Sequence, residues 1–347
     1  AGATLPLLSS LVDKSLVLLE TVDLEARYRL LETVRQYGLE RLKASGLYEE
    51  IRARHAATYL ESAERAAPRL FGGAADRDWM VRLSYDTANL RAAADWAAES
   101  PDRVETALRL GWALHWFWFA KGYFEEGRAR LTAALERAQD VDPMIRARAE
   151  LALGNVGIWQ GRRSEVRALM SSALETIERH GDDHLIAYAT VGLGAAHLFE
   201  GDAVTATPIL EAAVERAKAF APHIIHSLAL FWRGWAAKER GEINIARMSL
   251  ELASRSGREL DHAPNIAHPL SLLGQLELSQ GRATEALACF AESLQIHWNT
   301  ADSWGLARGL EGIGATATRL GQAASAARFL GAADALRTRQ ATPLAAG

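Results

Sequence analysis

Residues 234–253, GWAAKERGEINIARMSLELA, contain the pattern that decides the fold. Gly234 is followed seven residues later by Gly241, then after five more by Ala246 and after another four by Leu250. Apolar residues on both sides of Gly241 recur every three or four positions, which is the spacing of one face of a helix. Glycine at the midpoint favours a break in the chain. The segment therefore predicts two helices joined by a turn at Gly241.

The same pattern recurs along the chain with a fixed period. Turn glycines lie 40 residues apart at Gly161, Gly201, Gly241, Gly281 and Gly321, and Gly122 precedes the first of them by 39. A second series lies seven residues before these five, at Gly154, Gly194, Gly234, Gly274 and Gly314. Two glycine series in one phase indicate an array of repeats. Glycine inside a helix costs about 1 kcal/mol relative to alanine, so we expect the backbone of a neighbouring helix to approach closely there.

This repeat resembles the tetratricopeptide repeat, lengthened to 40 residues from the usual ~34. Its first unit is irregular, because His115 stands where the interior glycine is expected and Gly127 where the second-helix alanine is expected. The resemblance implies an all-α protein, a right-handed tetratricopeptide-like solenoid of about six helix hairpins from about Glu105 to about Arg339.

The first 50 residues follow a different pattern. A short helix at 7–11 precedes two alternating stretches, Ser15–Thr21 and Arg27–Leu31, which predict a two-stranded hairpin. A helix over Glu32–Ser45 follows, with Gly46 as its C-terminal cap. Helix, hairpin and helix in this order match the latter half of a winged helix. We therefore expect three parts: a partial winged-helix domain over 1–50, a helical connector over 51–104 and the solenoid over 105–347.

Three stretches carry a more specific resemblance. LSSLVDKSLVLLE, RYRLLETVRQYGLERLKASG and the closing AARFLGAADALRTRQATPL are similar to the sensor region of bacterial STAND-class transcriptional regulators, including LuxR-type and antibiotic-regulator-type members. The resemblance implies that the chain is a fragment of a larger parent. An ATPase switch would precede it, and in many relatives a LuxR-type helix-turn-helix would follow.

Composition and charge argue against a nucleic-acid or membrane partner. The chain has 347 residues, of which 49% are hydrophobic and 24% charged, as in ordinary globular proteins. Its net charge of -4 provides no positive field for a phosphate backbone, so we expect no direct nucleic-acid partner. The most apolar window, Leu110–Ala120, is about half of the ~20 residues that cross a bilayer. The sequence predicts a soluble cytoplasmic protein without a membrane partner.

Motifs for catalysis are missing from the sequence. No G-x-x-x-x-G-K-[ST], G-x-S-x-G, H-E-x-x-H or C-x-x-C occurs. The pairs His180/His184 and His223/His226 have spacings that could serve a metal, but no third ligand is evident. Cys289, the single cysteine, is expected to be a buried and inert thiol. We therefore expect a non-enzymatic chain with no catalytic residues, no metal site and no cofactor.

Aromatic residues indicate where a ligand could bind. In tetratricopeptide-like arrays, set positions of each first helix line the concave groove. Transferred to this sequence, those positions are Arg109, Trp112, Trp116, Phe119, Arg148, Asn155, Trp159, Tyr188, Phe199, Phe231, Trp235 and Lys238. The last two hairpins offer polar residues instead, namely His268, Gln275, Arg308, Glu311 and Arg319.

Two functions remain open at this point. In the first, the solenoid is a sensor that binds a small inducer, a peptide or a protein partner in its groove and controls the parent's switch. In the second, these rings are core residues, and the solenoid is a structural scaffold for oligomerisation with no small-molecule ligand. Whether the chain forms a homo-oligomer is open in both.

Overall fold

The structure is a computed structural model that describes residues 4–22, 25–70, 76–160, 163–300 and 302–340. The chain divides into two compact units, Ala1–Ala57 and Thr58–Gly347. Within the described ranges, no helix combines the length and the apolar character that a membrane span requires. The three-part domain division expected from the sequence remains a prediction.

The first unit contains the predicted two-stranded hairpin. Helix α1 (Thr4–Asp13) precedes strands β1 (Val17–Val22) and β2 (Glu25–Leu30), and α2 (Glu32–Ala44) follows them. The strands are antiparallel, with Val17 opposite Leu30. These bounds lie within two or three residues of the predicted ones.

This unit has very little core of its own. Among its described apolar residues, only Val17 and Ala56 are fully buried. Leu5, Leu7 and Tyr37 each expose more than 60% of their surface. Exposed large apolar side chains of this kind can form a surface that another protein element covers.

Helices α3 (Tyr48–Leu70), α4 (Asp76–Tyr85) and α5 (Thr87–Ala98) follow, and then a short 3₁₀ helix, Pro101–Arg103. Six helix hairpins come after them and confirm the predicted number. They are α6 (Val104–Lys121) with α7 (Phe124–Arg137), α8 (Pro143–Trp159) with α9 (Arg163–His180), α10 (Asp183–Phe199) with α11 (Ala203–Lys218), α12 (Ile224–Glu239) with α13 (Ile243–Glu259), α14 (Ala263–Ser279) with α15 (Ala283–Thr300), and α16 (Ser303–Arg319) with α17 (Ala323–Gln340).

Each interior glycine accommodates one bulky side chain of the second helix. A Cβ atom on Gly234 would lie 2.7 Å from Cγ of Leu250, sixteen residues later. The nearest backbone atom, the carbonyl oxygen of Ala246, would lie 3.3 Å away. The tightest approach is therefore made by the Leu250 side chain, and the backbone of α13, which the sequence analysis expected to approach, lies close as well. The same pairing joins Gly154 to Met170, Gly194 to Leu210, Gly274 to Phe290 and Gly314 to Leu330.

In the irregular first hairpin, the glycine that makes room for the bulky side chain lies one helical turn earlier than in the other hairpins. A Cβ atom on Gly111 would lie 2.3 Å from Cδ2 of Leu131, so Gly111 takes the role expected at position 115. His115 is itself buried. Gly127 in α7 leaves room for the ring of Trp118, which a Cβ atom would approach to 2.6 Å.

Two bulky residues also connect successive hairpins. The Phe290 ring fills the space beside Gly274 of its own hairpin and beside Gly312 of the next one, where a Cβ atom would lie 2.3 Å from the ring. Met170 is held in the same way between Gly154 and Gly192. Both side chains are almost completely buried.

Helix boundaries follow local chemistry. Gly241 has φ +75°, a left-handed conformation that glycine adopts without strain and that ends α12. At the other end, Asp182 is the N-cap of α10 and Asp302 is the N-cap of α16. Each carboxylate accepts a backbone N–H of the first turn at 3.0 Å. His262 begins α14 similarly, with Nδ1 accepting the N–H of Asn265 at 3.2 Å. These caps recur at multiples of 40 residues, so the repeat extends to the helix starts.

Candidate ligand-binding site

The predicted groove residues lie on the first helices of the first four hairpins, α6, α8, α10 and α12. Those that keep partial exposure are Arg109, Trp112, Trp116, Phe119, Arg148, Asn155, Phe199, Trp235 and Lys238. Tyr188 and Phe231 are only 3% and 5% exposed, so the structure places them in the core rather than on an open surface. Trp159 ends α8, but its side chain lies outside the part of the chain that the structure describes.

A largely apolar cavity lies between α6, α12 and α14. Its free volume is about 40 Å³, and it opens to solvent. The helices place Trp116, Phe119 and Phe231 from the predicted set on its wall. The remaining lining residues are Leu70, Ile224, Ile225, Leu228, Trp232, His262, Pro264, Asn265, His268 and Pro269. The cavity therefore joins the first hairpin to the fourth and fifth, which the sequence analysis did not predict.

Several predicted polar groups are engaged with one another. The Nδ2 group of Asn155 donates to the Tyr188 hydroxyl at 2.7 Å, and His115 Nε2 lies 3.3 Å from the same oxygen. The Tyr188 ring meets Trp112 edge-on, with centroids 6.2 Å apart. Burial raises the pKa of Tyr188 and lowers the pKa of His115 to about 4, so both groups are neutral at physiological pH. This cluster is a hydrogen-bonded part of the core.

The predicted basic residues of the groove have acidic partners. Arg109 donates from Nε to Glu64 at 2.8 Å, and this hydrogen bond raises the pKa of Arg109. Lys238 Nζ lies 3.1 Å from Glu239. Arg148 is 3.9 Å from the cap carboxylate Asp182. Ligand binding at these three positions would compete with existing ion pairs.

A second aromatic cluster lies beside the cavity. Trp232 and Trp235 are stacked, with centroids 5.2 Å apart and planes at 5°. Phe199 meets Trp235 at 5.5 Å. Arg308 from α16 lies over Trp235 at 5.2 Å and over Trp304 at 4.8 Å.

Titratable groups meet where the fifth and sixth hairpins adjoin. His268, His297 and Asp302 place one ligand atom each within 4.8 Å of one another. His297 Nδ1 lies 2.8 Å from Asp302 Oδ2, and His268 Nε2 lies 3.8 Å from the same oxygen. These are residue types that hold zinc in proteins. Asp302 already caps α16, however, and the charge of Arg308 nearby opposes a cation.

The pKa directions agree with a hydrogen-bonded network. Burial opposes ionisation of Asp302, but the hydrogen bond from His297 and the adjacent charges lower its pKa to about 2. Burial, reinforced by His297, lowers the pKa of His268 to about 3. A charged carboxylate beside a neutral imidazole of His268 is the state at neutral pH. We assign this cluster to fixing the start of α16.

The histidines singled out by spacing contact other partners than those that the spacing suggested. His180 ends α9, with Nδ1 2.8 Å from the carbonyl of Thr176. His184 stacks on Phe220 at 4.1 Å and meets His223 at 5.1 Å. Cys289, expected to be buried, is half-buried, and burial raises the pKa of its thiol, which lowers its nucleophilic character.

The sequence analysis placed His268 of the fifth hairpin at a groove position but missed His262 and Asn265. His262, Asn265 and His268 line the cavity although no aromatic pattern marked α14. A usable signal was present, since His262 lies 40 residues before Asp302 and 80 after Asp182, in the helix-cap position of the repeat. Histidine caps α12 at His223 and α14 at His262, whereas aspartate caps α8, α10 and α16, so a histidine cap marks the two hairpins that line the cavity together with α6.

Comparison with known sequences gives one group of relatives. Proteins of Mycobacterium tuberculosis and Mycobacterium bovis that are named as HTH-type transcriptional regulators are 28% identical to this chain over 291 residues. The match covers 81% of this chain and 32% of the relatives, so the chain spans about a third of their length. No protein-family model matches the chain.

Solved structures confirm the fold class. A Rap protein in complex with the competence and sporulation factor superposes with a TM-score of 0.57 at 11% identity, covering 84% of this chain and 98% of that one. The apo form of RapI gives a TM-score of 0.57 at 15% identity, covering 75% and 92%. The chain is thus a tetratricopeptide-like helical solenoid, similar in sequence to transcriptional regulators.

Proposed function

We propose that this chain is the sensor region of a bacterial transcriptional regulator, and that it binds a small inducer or a peptide in the cavity between α6, α12 and α14. The cavity carries this proposal. It is concave and mostly apolar, with a few polar groups from His262, Asn265 and His268, which is the usual composition of a ligand pocket.

The similarity to HTH-type regulators supports a role in transcription. Because the chain spans a third of those proteins, DNA binding and switching would belong to the remainder of the parent. We propose a STAND-class parent of the LuxR or antibiotic-regulator type, acting in the cytoplasm, with the ATPase switch outside this chain. The complex of a Rap protein with the competence and sporulation factor supports a peptide as one class of occupant.

The first unit is proposed to be the end of a winged helix. Its exposed side chains, such as Leu5, Leu7 and Tyr37, support this assignment because the missing half of such a domain would cover them. In the parent, this unit would lie between the nucleotide-binding module and the sensor.

The cavity can be tested by blocking it. Leu228→Trp adds an indole to a half-buried residue of the cavity wall. Leu252→Trp makes the same substitution at an exposed position of α13 and serves as the matched control. A thermal-shift screen of metabolites and short peptides should give hits that stabilise the native chain and the Leu252→Trp variant, but not Leu228→Trp.

Two results would contradict the proposal. Hits that stabilise Leu228→Trp as strongly as the native chain would place binding elsewhere. A screen without hits, together with concentration-dependent self-association in sedimentation, would favour the alternative of a structural scaffold for oligomerisation.

A further inference from the structure

Arg308 is a buried cation whose polar atoms have no partner among the described residues. It is 7% exposed, and its guanidinium lies over the ring of Trp235 and over the ring of Trp304. No hydrogen bond and no ion pair joins it to a residue that the structure describes. Guanidinium has five N–H donors, and without a protein acceptor these donors are available to a ligand. The cation–π contacts with the two indole rings do not use these N–H donors.

The nearest carboxylates are already engaged. Glu311 accepts both Nε and Nη2 of Arg337. Glu239 accepts Trp235 Nε1 and Lys238 Nζ, each at 3.1 Å. Glu239 and Glu311 therefore accept hydrogen bonds from other donors, and neither carboxylate forms an ion pair with Arg308. Burial lowers the pKa of Arg308 to about 10, which still leaves it charged at neutral pH.

Arg308 lies next to the proposed cavity. Trp232, on the cavity wall, stacks on Trp235, which lies under Arg308. His268, also on the wall, meets Trp304 edge-on at 5.4 Å. Two ring pairs, Trp232 with Trp235 and His268 with Trp304, therefore connect the cavity wall to the Arg308 side chain.

We propose that Arg308 binds the carboxylate of an amphipathic organic acid or of a peptide whose apolar part occupies the cavity. This inference deepens the proposed function and rests on it. A planar fork of donors matches the two oxygens of a carboxylate, and such charge-assisted pairs are stronger than neutral hydrogen bonds. A single unmatched positive charge suits a singly charged carboxylate. A phosphate dianion would need a second free cation, and Lys238 and Arg337 are already paired.

The test compares phenylacetate with phenylacetamide, which has the same shape without the charge, and with phenyl phosphate. Binding to the full chain is followed by tryptophan fluorescence and thermal shift. We expect phenylacetate to bind the native chain more tightly than either analogue. Arg308→Met should weaken phenylacetate by about 10- to 100-fold and leave phenylacetamide unchanged. Arg308→Lys, which keeps the charge but loses the fork, should fall between them.

Arg319→Met is the matched control, because Arg319 lies on the same helix and is exposed. It should bind phenylacetate like the native chain. Equal binding of phenylacetate by Arg308→Met and the native chain, equal binding of acid and amide by the native chain, preference for phenyl phosphate, or no binding of phenylacetate at millimolar concentration would each overturn the inference.

The variant Leu228→Trp separates this inference from the proposed function. If phenylacetate binding is lost in Leu228→Trp but not in Arg308→Met, ligand binding in the cavity is supported and carboxylate binding by Arg308 is contradicted. If binding is lost in Arg308→Met but not in Leu228→Trp, carboxylate binding by Arg308 is supported, and occupation of the cavity by the phenyl ring is contradicted.

Discussion

Replacing Gly234 by alanine tests the packing that defines each repeat. Two effects oppose each other. Alanine is favoured over glycine inside a helix by about 1 kcal/mol. The new Cβ atom would lie 2.7 and 2.8 Å from Cγ and Cδ2 of Leu250, whereas ordinary contact begins at 3.4 Å. Because Cγ is the branch point of the side chain, the whole of Leu250 must shift, and overpacking of this kind costs about 1–3 kcal/mol.

Gly331→Ala measures the helix preference of alanine without a packing contribution. Gly331 lies in α17, is exposed, and a Cβ atom there would meet nothing within 4 Å. This variant should gain the helix preference alone, about 1 kcal/mol. Gly234→Ala should change stability by between zero and a loss of about 2 kcal/mol. The difference between the two variants, about 1–3 kcal/mol, measures the overpacking.

Urea unfolding followed by circular dichroism provides the measurement. In a Leu250→Ala background, the space beside position 234 is free, so Gly234→Ala should become stabilising. The reasoning is refuted if Gly234→Ala and Gly331→Ala stabilise the chain equally, or if removing the Leu250 side chain leaves the effect of Gly234→Ala unchanged.

The remaining predictions concern pH and nucleic acid. Burial holds the pKa of His115 and of His262 at about 4, against 6.5 for an exposed histidine. Between these values the unfolded chain binds more protons, so stability should fall as pH drops from 6.5 towards 4, by about 3 kcal/mol per residue at the lower end. Melting curves across this range should show a flatter dependence in His115→Gln than in the exposed control His180→Gln, and equal slopes would refute the assignment. The chain should also bind duplex DNA no more tightly than micromolar at about 150 mM salt, because its net charge is -4. It should release no phosphate from ATP; submicromolar affinity in an anisotropy titration, or ATP hydrolysis, would contradict the proposed division of roles.

The repeat could be predicted from sequence because it depends on local requirements. A turn such as Gly241 needs a left-handed residue, and an interior position such as Gly234 needs room for a side chain sixteen residues away. Each requirement is met within one hairpin, so it appears in the sequence at the repeat period. The two-stranded hairpin was predictable for the same reason, because alternation is a local signal.

The site was less predictable because it depends on the rotation between successive hairpins. Periodicity assigns Trp116 and Phe231 to the same face of their helices. It does not show that α6 and α14 meet around one cavity, with Trp116 and His268 far apart in sequence. It also does not distinguish the half-buried Trp235 from the buried Tyr188. Within the described part of the chain, Arg308 lacks an acidic partner because Glu311 pairs with Arg337 and Glu239 pairs with Lys238. No sequence motif predicts these pairings.

The double contacts of Phe290 and Met170 have a mechanical consequence. Each side chain fills the gap between the first helices of two consecutive hairpins, so its width sets the separation of those helices. Phenylalanine is rigid and flat, whereas methionine is flexible. The joint at α14 and α16 should therefore resist bending more than the joint at α8 and α10. We therefore expect an occupant that widens the cavity to bend the solenoid between α8 and α10, where Met170 packs, before it bends the solenoid between α14 and α16, where Phe290 packs.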